Sequence, residues 1–176
     1  MEIYLIRHTA PLITKGMIYG RTNVPLAESF EYEKERILSQ LPDFLDAVYS
    51  SPSVRCTQLA AALSNNYQED EALYELNFGD WEGETWDTVD RAASETWMKD
   101  FVNLAPPNGE SMLEMETRVL KFWDGLLQRP LAHIALVTHG GVIRILLAKQ
   151  QSIALKDSFS IQVGMAEVFR VSVSTP

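Results

Sequence analysis

The segment Met1-Glu2-Ile3-Tyr4-Leu5-Ile6-Arg7-His8-Thr9-Ala10 decides the class of fold. Four successive apolar residues, Ile3 to Ile6, rich in β-forming types, stop abruptly at Arg7-His8. Such a run reads as a buried strand of a parallel sheet, because a strand covered on both faces needs no polar alternation. In open α/β sheets, ligands bind just outside the carboxyl ends of the strands, where Arg7 and His8 stand. The same arrangement returns downstream: the apolar run Ile134 to Val137 ends at Thr138-His139, followed by Gly140-Gly141. The chain has three histidines, and two of them close such strands.

Between these strands, helical and extended patterns alternate. Thr9 to Ala27 carries prolines and glycines with little periodicity, and reads as a long loop serving a site. Glu28 to Leu41 has helix-forming composition stopped by Pro42. Ala47 to Ser50 is a short strand, and a helix follows from Ser53, its N-cap, to about Leu63. Glu75 to Gly83, E-L-N-F-G-D-W-E-G, is an ordered loop. Thr85 to Asn103, with Trp86, Val89, Trp97, Met98 and Phe101, supplies one or two helices over one edge of the sheet. After the break at Ala105 to Gly109, a helix spans Ser111 to Leu127, with Ser111 and Glu114 spaced as a capping box. Another helix covers Val142 to Lys149, and Phe159 to Val173 alternates like two edge strands around Gly164. The expected architecture is α/β: three α/β/α layers, a mainly parallel central sheet and a small helical cap inserted at about 76–110. It forms one domain over residues 1–176.

Fifteen basic against twenty-four acidic residues leave a net charge of −9, which argues against nucleic acid or an anionic membrane as partner. An anionic substrate therefore needs a local cationic pocket. Cys56 is the only cysteine, which excludes an intrachain disulfide and a cysteine-based metal site. No apolar run reaches the roughly 18 residues of a membrane span. Glu2 inside the first strand makes a poor signal peptide, so a cytoplasmic location is expected.

Alone, a histidine at a strand end is most often a satisfied structural residue. Arg7 beside His8 changes that reading: a cation keeps the imidazole neutral, as nucleophilic attack requires, and binds an anionic group for it to attack. His139-Gly140-Gly141 opens a helix, whose N-terminus points free N–H groups and a positive dipole end at what lies before it. Arg55 lies in the first turn of a helix, where acids are preferred. Neither a dinucleotide fingerprint nor a Walker A loop is present. Arg144 and Lys149 read as helix-surface residues, His133 as exposed and Cys56 as core.

Arg7-His8, the S-S-P-S-V-R-C-T-Q-L-A stretch around Arg55, the L-Y-E-L-N-F-G-D-W-E-G stretch around Glu75 and the T-H-G-G around His139 follow one another through nearly the whole chain. Together they resemble the histidine phosphatase (phosphoglycerate mutase-like) superfamily. The resemblance implies that His8 attacks phosphorus and becomes a phosphohistidine. It implies that Arg7, Arg55, His139 and the backbone at Gly140 hold the phosphoryl oxygens. Glu75 would be the general acid and then the base that activates water; Asp80 and Glu82, in the same loop, compete for that role. Phosphoryl transfer asks for positioning and dispersed positive charge, which two arginine forks supply, and no metal or cofactor is expected.

Thr9 stands where the family usually has glycine, and its hydroxyl is a candidate donor to phosphate. Thr14 stands where many members have a phosphate-contacting asparagine. The loop Y-G-R-T-N-V-P-L-A-E, which contains Arg21 as a further substrate-binding candidate, resembles that of α-ribazole phosphatases of cobalamin biosynthesis. So do N-F-G-D-W-E-G and P-N-G-E-S. The expected partner is thus a small phosphorylated substrate, with α-ribazole 5′-phosphate favoured. The alternatives are a broad small-molecule phosphatase, a mutase-like enzyme, or a non-catalytic phosphate-binding module.

Overall fold

A computed structural model describes residues 1–174. Its sheet has five strands in the order β3-β2-β4-β1-β5: β1 (Glu2–Arg7), β2 (Ala47–Ser50), β3 (Gln68–Glu69), β4 (His133–Thr138) and β5 (Val168–Ser172). The first four run parallel, and β5 is an antiparallel edge on β1. The register of β1 on β4 sets Arg7 opposite Thr138. The residues that follow, His8 and His139, therefore leave the sheet side by side.

Alternate strand residues bury into two layers. Ile3, Leu5, Ile134 and Leu136 pack on the side of α4 (Met112–Leu127) and α5 (Gly140–Gln151). Tyr4, Ile6, Ala135 and Val137 pack on the side of α1 (Phe30–Leu38) and α2 (Val54–Leu63). Both faces of β1 and β4 are thus covered, which explains their unbroken apolar runs; each fully buried Ile or Leu contributes about 1.5–3 kcal/mol. The capping box at α4 is formed: Glu114 N donates to Ser111 Oγ at 3.2 Å, and Ser111 N donates to Glu114 Oε2 at 2.7 Å.

Four local expectations change. Phe159 to Val173 gives one strand, not two: Leu155–Ser160 is a 3₁₀ turn, and only β5 has a partner edge on β1. β3 has no signal in the sequence, since Gln68-Glu69 is exposed and polar and pairs only through its backbone. Ser53 occupies the N-cap of α2, but its hydroxyl does not cap. Asn23 Oδ1, from the long loop, accepts from Val54 N at 3.0 Å instead. His133 opens β4 half-buried rather than exposed.

The cap region holds a 3₁₀ turn at Gly79–Trp81 and one helix, α3 (Arg91–Lys99). Gly79 has φ +55°, and a Cβ there would lie 2.0 Å from Pro107 O, so the close crossing of the two loops requires glycine.

Candidate active site

The carboxyl ends of β1 and β4 deliver two buried imidazoles whose ring centroids are 5.2 Å apart at 65°. His8 Nδ1 donates to Thr9 O at 2.7 Å, which leaves the Nε2 lone pair free to accept from Arg55 Nε at 3.3 Å. His139 Nδ1 accepts from Arg55 Nη2 at 3.2 Å, and its Nε2–H donates to Ser51 Oγ at 2.8 Å. One guanidinium therefore touches both rings. Arg55 is itself fully buried, held by Gly20 O at 2.5 Å and Thr22 O at 3.0 Å, with its Cζ 5.0 Å from the Tyr19 ring centroid. Its place in the first turn of α2, against the usual preference for acids, is the geometry that aims it into the site.

Burial, then the Arg55 charge, pushes the His8 pKa down to about 3. The same two causes, with His8 and Arg7 adding to them, hold His139 well below the usual imidazole range. Both rings are neutral at pH 7. His8 thus has the form a nucleophile needs: a fixed tautomer with an unprotonated Nε2 beside a permanent cation. Cys56 Sγ lies 3.6 Å from His139 Nε2, and burial pushes its thiol up to about 12, so it packs rather than reacts.

Arg7 Nη1 donates to Val163 O at 2.6 Å, while its buried Nε has no partner among the described residues. Gly140, opening α5, lies under two guanidinium groups: a Cβ there would be 3.3 Å from Arg7 Cζ and 3.1 Å from Arg144 Nη1. Arg144, a helix-surface residue by its sequence, is half-buried instead, and burial together with Arg7 lowers its pKa. Two guanidinium groups held this close repel, and a bound dianion would offset that cost. The available signal was spacing, since positions 140 and 144 share a helix face.

Glu75 Oε2 accepts from Gly141 N at 3.1 Å and Oε1 from Leu76 N at 2.9 Å, which sets the carboxylate against the first turn of α5. The competing carboxylates are engaged elsewhere. Glu82 accepts from Arg21 N, Phe78 N, Thr22 N and the Thr22 hydroxyl. Asp80 accepts from Asn108 Nδ2 at the surface. Arg21 Nη2 pairs with Glu110 at 2.9 Å and its Nε donates to Glu75 O at 3.4 Å, so it braces the Glu75 backbone. Arg118 does the same from α4, donating to Glu75 O at 3.1 Å and to Glu110 at 2.6 Å. Burial would raise the Glu110 pKa, but these arginines and Asn77 N outweigh it and lower it.

Thr9 is fully buried with no partner for its hydroxyl among the described residues. Thr14 stands on an exposed turn, its carbonyl accepting from Met17 N at 3.1 Å, and makes no hydrogen bond to the cluster. Among the described residues, no group of three or more His, Cys, Asp or Glu could hold a metal ion, and no helix is long and apolar enough to cross a membrane.

A three-layer α/β fold whose parallel strands present a buried neutral imidazole among arginines defines a protein built to handle phosphoryl groups. The chain belongs to the histidine phosphatase superfamily (branch 1), whose family model matches residues 3–175. The crystal structure of the α-ribazole phosphatase from Shigella flexneri superposes with a TM-score of 0.90 at 23% identity, covering 99% of this chain and 91% of that one. The phosphoglycerate mutase from Thermus thermophilus superposes with a TM-score of 0.68 at 33% identity, over 84% of this chain and 82% of that one. The 2,3-bisphosphoglycerate-dependent phosphoglycerate mutase of Rhizobium etli is 28% identical over 177 residues, 90% of this chain and 84% of its own.

Proposed function

We propose that the protein is a cofactor-independent phosphomonoesterase working through a phosphohistidine at His8, with α-ribazole 5′-phosphate as its favoured substrate. The observation that carries the reading is the fixed tautomer of His8: Nδ1–H is tied to Thr9 O and the Nε2 lone pair faces Arg55. In the first step the Nε2 lone pair forms a bond to phosphorus. The ester P–O bond breaks, and the leaving oxygen takes a proton from the Glu75 carboxyl. Arg7, Arg55, Arg144 and the N–H of Gly140 hold the three phosphoryl oxygens as charge spreads over them, while His139, both of whose nitrogens are engaged, orients Arg55 instead of donating to phosphate. In the second step Glu75, now a carboxylate, removes a proton from water as its oxygen attacks phosphorus. The P–N bond breaks, releasing phosphate and restoring neutral His8.

The substrate choice rests on the residue pattern of Tyr19 to Glu28, Asn77 to Gly83 and Pro107 to Ser111. A mutase reading has relatives on its side and would share the first step. The two differ in whether water or an acceptor alcohol takes the phosphoryl group. Brief reaction with phosphorus-labelled substrate, quenched in base, is expected to trap an acid-labile phosphoprotein and to release the label as inorganic phosphate. His8→Ala abolishes both. Equal labelling of His8→Ala, or label recovered only in an acceptor alcohol, would overturn the proposal.

A further inference from the structure

Two cavities flank the region of Glu75, one beside the arginines that hold the Glu75 backbone and one lined by Glu75 itself. The larger, of about 530 Å³, is lined by Arg21, Arg118 and Lys121 among others, and Glu75 is not part of its lining. The smaller, of about 210 Å³, includes Glu75, Gly141 and Arg144 on one wall. Its other walls are apolar: Met17, Phe78, Trp86, Met112 and Phe159 line it. An acid must reach the oxygen it protonates, so the space beside the Glu75 carboxyl is where the leaving group lies.

The rings of this cavity are braced from behind. Trp86 stacks on Trp97 with centroids 5.9 Å apart and planes at 24°, and Phe78 meets Trp86 edge-on at 6.1 Å. Phe159 meets Phe101 edge-on at 5.1 Å. Despite that bracing, Trp86 and Phe159 remain 42% and 50% exposed. They are fixed aromatic surfaces, able to stack on a ligand with little ordering cost. Met17 and Met112 supply adaptable walls between them. An apolar cavity of about 150 Å³ takes up benzene, so about 210 Å³ accommodates one ring with its linker or a fused pair.

Charge argues in the same direction. Glu75 and Arg144 are the charged residues of the lining. Arg144 is given to the phosphoryl group in the proposed reaction, with its Nε donating to Ile161 O at 3.1 Å and its Cζ 5.4 Å from the Phe159 centroid. A leaving group bearing a carboxylate would meet Glu75 and the negative faces of the rings without a cation of its own. We infer that this cavity selects phosphate esters of alcohols carrying a flat, uncharged ring and disfavours esters of hydroxy acids. The inference rests on the phosphatase reading and specifies its substrate class.

The test compares kcat/KM for 2-phenylethyl phosphate, ethyl phosphate, O-phosphoserine and 3-phosphoglycerate, all esters of aliphatic alcohols. 2-Phenylethyl phosphate is expected to exceed each of the others by about 100-fold, in line with the reach of a hydrophobic pocket. Trp86→Ala and Phe159→Ala, both at the cavity mouth, are each expected to cut that ratio about tenfold. Equal rates for all four esters, or preference for a carboxylate-bearing one, would overturn the inference and leave the phosphatase standing. Should none turn over, tryptophan fluorescence titration with 2-phenylethylphosphonate against ethylphosphonate decides. Tighter binding of the ring compound keeps the pocket and overturns the hydrolase, whereas equal binding overturns both.

Discussion

At the scale of single residues, the proposed general acid is the role that depends most on three dimensions. Glu75, Asp80 and Glu82 share one short loop and are indistinguishable by type. Their partners separate them: Glu82 ties the Tyr19–Thr22 segment to the Phe78 turn, whereas Glu75 faces α5 and the cavity. A general acid matters most for a poor leaving group, typically by a factor of about 10²–10⁴. Glu75→Gln is therefore expected to slow 2-phenylethyl phosphate at least 100-fold more than 4-nitrophenyl phosphate, whose phenolate leaves without help. Glu82→Gln is expected to slow both alike, through the loop. The ratio of the two kcat values in each variant settles the matter, and discrimination by Glu82→Gln alone would transfer the role to Glu82.

Among the elements, the first turn of α5 does more than end a strand loop. His139 is its N-cap, Gly140 underlies Arg7 and Arg144, and Gly141 N holds Glu75. A Cβ at Gly141 would lie 2.2 Å from Glu75 Oε1 and 3.1 Å from Met115 Cε. An added methyl there would therefore force the Glu75 carboxylate to shift, through close approach and not through backbone angle. Gly141→Ala is expected to displace the carboxylate and lower kcat for 2-phenylethyl phosphate at least tenfold more than for 4-nitrophenyl phosphate, with labelling of His8 by the aryl ester retained. Parallel loss on both substrates would mean that the turn itself, not the acid, had moved.

For the molecule as a whole, the site is a liability in acid. His8 is nearly fully buried with its pKa pushed down to about 3, against about 6.5 in an unfolded chain. Between those values the unfolded state binds the extra proton, so stability is complete above about pH 6.5 and falls as pH drops toward 3. At pH 4 the loss from His8 alone amounts to at most about 3 kcal/mol. Denaturant midpoints measured from pH 7 to pH 4 are expected to fall steeply in the wild type and less steeply in His8→Asn; identical slopes would refute the linkage. The strands β1 and β4 and the two histidines that end them were legible from sequence, because a strand buried on both faces must be apolar throughout and that demand is local. The capping box of α4 was legible for the same reason, since its partners lie three residues apart. The second expected edge strand was not: alternation is shared by strands and by turns that pack one side, and only the free edge of β1 decided which segment paired. Nor were Asn23 capping α2, Arg144 joining Arg7, or the aromatic cavity before Glu75 legible. Those features join groups distant in sequence, such as Asn23 with Val54 and Met17 with Phe159. Residue type and spacing determined which chemistry the chain carries. The packing of loops against the carboxyl edge of the sheet decided which carboxylate faces the first turn of α5 and which is tied into the loop.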